Sequence, residues 1–302
     1  MRAVGIDVSL WQDDNSTPQM VDFHQSRRAG VSFAFMKASQ GTFADPDFVM
    51  NWQHAAEAGL PRGAYHFFTW DVSVSEQARF FAGLLKNNPG ELPPVLDFEM
   101  RKYAPADQLR ASCSAKIFLM EVEQILGVRP MLYTSPSYWK EFGAADDITF
   151  LDYPLWIAHY YVDAPKVPAP WKTWTFWQWS TGKGLGPHYG AESKDIDLNV
   201  FNGTEANLRE RFGLSALPLP EPKPIPPGLR MRVITDGLRI RKGPGTQFPI
   251  VGTLKKDQLV EIHNAAGPKA WGQVDPLQDL WACVEADGVR HMLIAEEGKH
   301  AA

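Results

Sequence analysis

Cysteine is scarce in this chain, with two in 302 residues. Cys113 and Cys283 fall in different predicted domains, so no disulfide framework is expected. Both read as reduced thiols, Cys113 on a helix and Cys283 on a strand. Metal patterns are missing as well. There is no H-E-x-x-H and no paired Cys/His spacing, and the eight histidines are scattered, so no metal and no cofactor are expected. No segment approaches the ~20 consecutive apolar residues of a membrane helix. A formal net charge of -5 is too mild for a nucleic-acid partner or strong membrane attraction. No glycine-rich phosphate loop follows the first strand, which disfavours a dinucleotide-binding fold. The nucleophile and metal motifs of peptidases and amidases are absent. Met1-Arg2-Ala3 lead straight into that strand without an n-region, h-region or cleavage site. The expectation is a monomer made in the cytoplasm without a signal peptide.

What is present is a set of acids at strand ends. Pro93-Pro94-Val95-Leu96-Asp97-Phe98-Glu99 reads as a short buried parallel strand running into two carboxylates. Residues i and i+2 share a strand face. Asp97 and Glu99 are therefore expected to project together, about 6–7 Å apart along the backbone, with Phe98 turned the other way. Paired carboxyl groups are what acid/base attack on a glycosidic bond requires. Val4-Gly5-Ile6-Asp7-Val8-Ser9 and Ile196-Asp197-Leu198-Asn199-Val200-Phe201 supply two further acids on strand-like segments. In a (β/α) barrel the site is drawn from several strand ends at one face. Eleven tryptophans lean towards a sugar polymer, whose rings stack on aromatic faces.

Apolar strand-like runs lie near 3–8, 32–38, 63–68, 94–99, 130–134, 154–158, 174–179 and 195–200. Helical patterns at 19–29, 47–58, 74–87 and 106–126 separate the early ones. This alternation predicts a parallel α/β sheet, and eight strands in this length predict a closed barrel. Beyond residue 150 the helices thin out into Pro- and Gly-rich loops, which predicts an irregular barrel. Leu217 to Pro227 holds six prolines, the composition of a semi-rigid polyproline spacer. Short β-rich runs such as Val260-Glu261-Ile262 follow it. The expected organisation is a barrel over 1–213, a linker over 214–228 and a small all-β module over 229–302.

The motifs Gly5-Ile6-Asp7-Val8-Ser9 with Gln12, Lys37-Ala38-Ser39-Gln40-Gly41, Asp47-Phe48 with Asn51, Ala58-Gly59-Leu60, Gly63-Ala64-Tyr65-His66-Phe67, Leu96-Asp97-Phe98-Glu99, Trp177-Gln178-Trp179 and Asp197-Leu198-Asn199-Val200-Phe201 occur in order. Together they resemble the family 25 glycoside hydrolases, the Chalaropsis-type lysozymes or N-acetylmuramidases, over residues 3–212. Leu238-Arg239-Ile240-Arg241-Lys242-Gly243-Pro244-Gly245-Thr246 through Ile250-Val251-Gly252-Thr253-Leu254 resembles bacterial SH3 domains, common wall-binding modules of lysins. Three departures stand out. Asp13 follows Gln12 where the family has Gly, Ser39-Gln40-Gly41 replaces Thr-Glu-Gly, and Trp177-Gln178-Trp179 replaces Trp-Gln-Tyr.

The resemblance implies a flattened, irregular (β/α) barrel that cleaves the β-1,4 bond between N-acetylmuramic acid and N-acetylglucosamine in bacterial peptidoglycan. It matches Glu99 to the proton donor, a group that must stay protonated near working pH. Asp97, Asp7 and Asp197 are the remaining site acids, with Asp195 a competitor for the place of Asp197. Tyr65, Phe67, Tyr133, Trp156, Tyr160 and Gln178 sit near strand ends as candidate sugar-lining residues. Asp97 and Glu99 on one face suit poorly an attack from opposite sides of the ring, so the expected route is substrate-assisted hydrolysis with retention. An enzyme of this kind made inside a cell and acting on the wall outside it fits a phage endolysin released through a membrane pore, and it fits a bacterial autolysin exported by a non-classical route as well. Two rivals are a barrel glycosidase on another N-acetylated polymer such as chitin and a non-catalytic wall-binding protein. The acidic series Asp-x-x-Asp-x-Asp-x-Glu of chitinases is represented only by Asp97 and Glu99.

Overall fold

A computed structural model describes residues 2–13, 21–214, 229–242, 249–262, 264–266, 270–275, 280–286, 289–290 and 292–294. The chain divides into two compact units, Met1–Ser215 and Ala216–Ala302. The proline-rich segment 217–227 lies outside the described residues.

The first unit is a closed barrel. Its strands are β1 (Val4–Val8), β2 (Val31–Gln40), β4 (Arg62–Phe67), β5 (Val95–Asp97), β6 (Met131–Thr134), β7 (Leu155–Ala158), β8 (Phe176–Ser180) and β9 (Asp197–Phe201), while β3 (Phe43–Ala44) forms a hairpin with β2. The order around the barrel is β1-β9-β8-β7-β6-β5-β4-β2, closing back onto β1. All eight predicted strands are present. Seven run parallel, and β9 runs antiparallel to both β1 and β8. An apolar run encodes burial but not direction, so the sequence does not reveal this reversal.

Helices α1 (Phe23–Arg28), α2 (Phe48–Glu57), α3 (Val74–Leu85), α4 (Gln108–Leu126), α5 (Pro136–Phe142) and α6 (Glu205–Arg211) account for the predicted helical segments and add α5 and α6. Side-chain oxygens of Asp107, Ser135 and Thr204 cap α4, α5 and α6 by accepting backbone N–H groups of their first turns. After β7 the connections are mainly loop, as the Pro and Gly content predicts. Cys113 is exposed on α4 with a free thiol, and Cys283 falls on a strand of the second unit.

Strand alternation separates two cores. Phe33, Phe35, Val95, Trp156 and Phe176 point into the barrel, where Phe35 stacks on Trp156 with centroids 4.5 Å apart. Ala34, Met36, Leu96 and Phe98 face the helices. Room for two phenyl rings inside the barrel comes from glycine on the flanking strands. Gly5 is in register with Phe33, and Gly63 with Phe35. A Cβ on either would sit 2.2 Å from the opposing ring.

The second unit is all-β among its described residues. Strands β10 (Leu229–Val233), β13 (Leu259–Ile262) and β18 (Met292–Ile294) form one sheet. The other holds β11 (Leu238–Arg241), β12 (Ile250–Leu254), β14 (Asn264–Ala266), β15 (Ala270–Asp275) and β16 (Leu280–Ala286), with β17 (Val289–Arg290) paired to β16. Met231, Val233, Leu254, Ile262 and Met292 are its buried core.

Because Gly63 lies against the buried ring of Phe35 and the Cβ of Leu92, Gly63→Ala is expected to destabilise the barrel by about 1–3 kcal/mol through overpacking. Urea unfolding of the two proteins side by side checks this; an unchanged midpoint would show that Phe35 has space to move.

Candidate active site

The reversal of β9 decides where its acid lies. Asp197 opens β9, and antiparallel pairing sets it opposite Asp7 at the end of β1. Around the barrel, Phe67, Asp97, Tyr133 and Trp156 form one register row across β4, β5, β6 and β7. Strand β5 stops at Asp97. Phe98 turns to the helix side, where it packs on Phe68, Trp70 and Tyr138. Glu99 then returns to the same cleft as Asp97, as the alternation predicts. The cleft measures about 370 Å³. Its walls hold all four predicted acids and all six predicted lining residues, Tyr65, Phe67, Tyr133, Trp156, Tyr160 and Gln178, together with Ser9, Trp11, Gln12 and Lys37. Asp195 is not among the lining residues; its Oδ1 accepts the N–H of Gly184 at 2.7 Å.

The floor is a hydrogen-bonded relay. Tyr133 and Tyr160 both donate to Gln178 Oε1, at 2.6 and 2.7 Å. That fixes the amide so that Nε2 donates to Asp7 Oδ2 at 2.8 Å. Asn199 Nδ2 donates to the same oxygen at 2.7 Å, while Asn199 Oδ1 accepts from Trp156 Nε1 at 2.8 Å. Gln178 and Asn199 are 3% and 0% exposed, so these bonds replace water. Tyr133 and Trp156 are likewise buried, whereas Tyr65 and Phe67 are half-buried and Tyr160 is exposed. Asp97 stands apart. It is 7% exposed, and its buried Oδ1 has no hydrogen-bond partner among the described residues.

Among the described residues, four carboxyl groups share this space with one cation, Lys37. Burial raises the pKa of Asp7 to about 6 against the two amide bonds. Burial, with Asp7, Glu99 and Asp195 nearby, raises Asp197 to about 8. Burial and Glu99 push Asp97 well above the usual carboxylate range, opposed by Lys37. Burial, then Asp7, raises Glu99, again opposed by Lys37. Lys37 itself is lowered by burial and held up by Asp97, Asp45 and Glu99. The tyrosines stay neutral, since burial raises Tyr65 and Tyr133 well above 10. At neutral pH such a cluster holds protons that isolated carboxyls would release.

Residues 6–185 match the family model described as glycosyl hydrolases family 25. The chain belongs to that family. It is a glycoside hydrolase, similar over 206 residues (38% identity; 68% of this chain, 71% of the relative) to the uncharacterised protein YegX of Escherichia coli strain K12. Lysozyme M1 of Streptomyces globisporus is 34% identical over 214 residues, covering 68% of this chain and 69% of the relative. The crystal structure of the bacterial lysozyme from Streptomyces coelicolor superposes with a TM-score of 0.61 at 32% identity, over 71% of this chain and 99% of that one. These matches cover the barrel; an SH3-like identity for the second unit does not follow from them.

Two residues of the cleft, Lys37 and Trp11, and one buried beneath it, Asn199, escape a search for acids and aromatics at strand ends. Asn199 sits one alternation beyond Asp197, and its importance appears only once β9 is known to abut β1. Lys37 is the lone charge in the apolar run Val31-Ser32-Phe33-Ala34-Phe35-Met36-Lys37, and that isolation was its signal. Trp11, 72% exposed, rides a one-turn 3-10 helix over Leu10–Gln12, closed by reciprocal bonds between Ser9 and Gln12. A capping box before a tryptophan is visible in sequence, though only the fold turns it towards the cleft.

The raised carboxyls fix a pH dependence of stability. Unfolded carboxyls titrate near 3.9, so between about pH 4 and 8 these carboxyls hold more protons in the native barrel than in the unfolded chain, while buried His66, lowered to about 4, opposes them in the acid half of that range. Stability then falls as pH rises, first through the value of about 6 for Asp7 and then through that of about 8 for Asp197. Scanning calorimetry is expected to show the barrel melting at a lower temperature at pH 8 than at pH 5. Asp197→Asn should reduce that difference, and a melting temperature that climbs over this interval would contradict the titration scheme.

Proposed function

We infer that this family 25 enzyme hydrolyses the β-1,4 bond between N-acetylmuramic acid and N-acetylglucosamine in bacterial peptidoglycan, with Glu99 as proton donor and Asp97 as partner of the substrate's 2-acetamido group. The observation that carries the reading is Asp97 and Glu99 side by side in the lining of one cleft, with no hydrogen-bond partner among the described residues for the buried Asp97 Oδ1. A carboxyl group so poorly satisfied gains from a donor brought by a ligand. An acetamide N–H of the sugar is such a donor for the side of Asp97 that faces the cleft. The lysozymes among the relatives bring the same substrate to mind.

The steps follow from these placements. Glu99, whose pKa burial and the Asp7 charge raise, gives its proton to the leaving glycosidic oxygen as the C1–O bond breaks. The acetamido carbonyl oxygen attacks C1 from the opposite face, closing a bicyclic oxazolinium whose positive charge Asp97 stabilises. Glu99, now a carboxylate, takes a proton from water as that water opens the ring at C1. The product keeps the starting anomeric configuration, and Glu99 is reprotonated for the next turn. Asp7, clamped by Gln178 and Asn199, and Asp197 hold the protonation states of the pair. The second unit is read as an SH3-like wall-binding module, and the biological setting as that of an endolysin released onto the wall.

Mass spectrometry of digested purified peptidoglycan tests the bond assignment. Fragments with muramic acid at the reducing end are expected, and glucosamine ends or an undigested wall would refute it. Glu99→Gln is expected to lose at least 10²–10⁴-fold in activity with its fold intact by circular dichroism; retention of more than a tenth of the activity would remove Glu99 from this role.

Truncation after Ala216 tests the module. The barrel unit ends at Ser215, so it should stay folded and cleave short soluble muropeptide chains at the wild-type rate. Its lysis of intact walls should fall, because tethering raises local concentration. Equal lysis of whole cells by both forms would show that the second unit does not target this substrate.

A further inference from the structure

Beside the catalytic cleft lies a second cavity of about 220 Å³. Lys37 lines both. The far wall is the β2–β3 hairpin, where Gln40 pairs with Phe43 and Ser39 with Ala44. Phe43 is 77% exposed, and with Leu10, Ala44 and Pro46 it gives this cavity its apolar surface. Pockets for whole drug-sized ligands run to roughly 300–1,000 Å³, so this one takes a fragment.

The polar groups define the fragment. Asp45 also lines the cavity, but its Oδ1 accepts the N–H of Asp47 at 3.0 Å and its Oδ2 that of Leu10 at 3.2 Å. That carboxylate is engaged in holding the turn. Lys37 Nζ carries three protons and gives one to Gln40 Oε1 at 2.8 Å. With its Oε1 taken by Lys37, the Gln40 amide keeps its Nε2 hydrogens, so Lys37 and Gln40 are both donors lining this cavity. The occupant is thus a group with a carbonyl or carboxylate oxygen for Lys37 and small apolar parts for Phe43 and its neighbours, tethered to a sugar in the adjoining cleft.

Muramic acid differs from glucosamine by such an arm, a 3-O-lactyl group with one methyl and one carboxyl, the latter amide-linked to a stem peptide in the intact wall. We propose that the cavity between Lys37 and the Phe43 hairpin holds the lactyl arm and first stem residue of the muramic acid bound in the cleft, with Lys37 donating to the arm's carbonyl. This rests on the peptidoglycan reading of the cleft and adds to it a determinant that reads the arm rather than the sugar ring.

The test compares two soluble glycans, one bearing stem peptides and one stripped of them by an amidase, with wild-type enzyme and two hairpin variants. Phe43→Ala removes the exposed ring, and Ala44→Phe fills the cavity; both positions are exposed, so the fold is not at stake. For the peptide-bearing glycan each variant is expected to raise KM roughly five- to tenfold, the scale of covering part of one aromatic side chain, with kcat unchanged. The stripped glycan keeps the lactyl arm and loses only the stem residue, so its rise should be clearly smaller, about two- to threefold. Equal effects on both glycans, or none on either, would overturn the proposal while leaving the muramidase reading in place. Wild-type enzyme that cleaves neither glycan would instead overturn the reading on which the proposal rests.

Discussion

The structure depends on how the barrel closes. One strand, β9, runs against its two neighbours, so its first residue, not its last, lies at the end where the parallel strands finish. That single reversal brings Asp197 opposite Asp7 and lets Asn199 reach Asp7 from the side. Gln178 arrives from β8. A buried carboxyl group needs such donors, and here both come from the closing strands. The seam that completes the barrel is therefore also the support of the site.

What the support makes possible is a crowd of acids that would be unfavourable elsewhere. Asp7, Asp97, Glu99 and Asp197 share a cleft with Lys37 as the cation among its lining residues. Burial raises every one of the four, and repulsion from neighbouring acids adds to it at Asp97, Glu99 and Asp197. The consequence for folding is adverse at neutral pH, while the consequence for chemistry is a proton held ready on a carboxyl group. This is the usual opposition between a stable site and a competent one. The interior below the cleft absorbs the cost with aromatic packing, Phe33, Phe35, Trp156 and Phe176 filling the barrel where Gly5 and Gly63 leave them space.

Much of this was legible in the chain. The eight strands announce themselves because parallel strands buried on two faces read as unbroken apolar runs. The alternation Asp97-Phe98-Glu99 placed both acids in one cleft and Phe98 in the helix-facing core, as found. Other features were beyond reach for physical reasons. Strand direction leaves no mark on an apolar run, so the pairing of Asp7 with Asp197 was invisible. Helices as short as α5 and α6, seven residues each, span too few turns to show a period, although their Ser135 and Thr204 caps were there to be read. Lys37 and Asn199 owe their importance to neighbours far away in sequence. The hairpin carrying Phe43 is two residues long on its second strand, below what alternation can reveal.

The central claim is that Glu99 and Asp97 act from one side of the sugar while the substrate supplies its own nucleophile. Proton NMR of the reducing-end product, recorded immediately after cleavage of a soluble glycan and before mutarotation, tests it most directly. The account predicts that the first anomer seen is β, the configuration of the bond cleaved. An α-anomer appearing first would contradict it, since an inverting water would then have attacked C1.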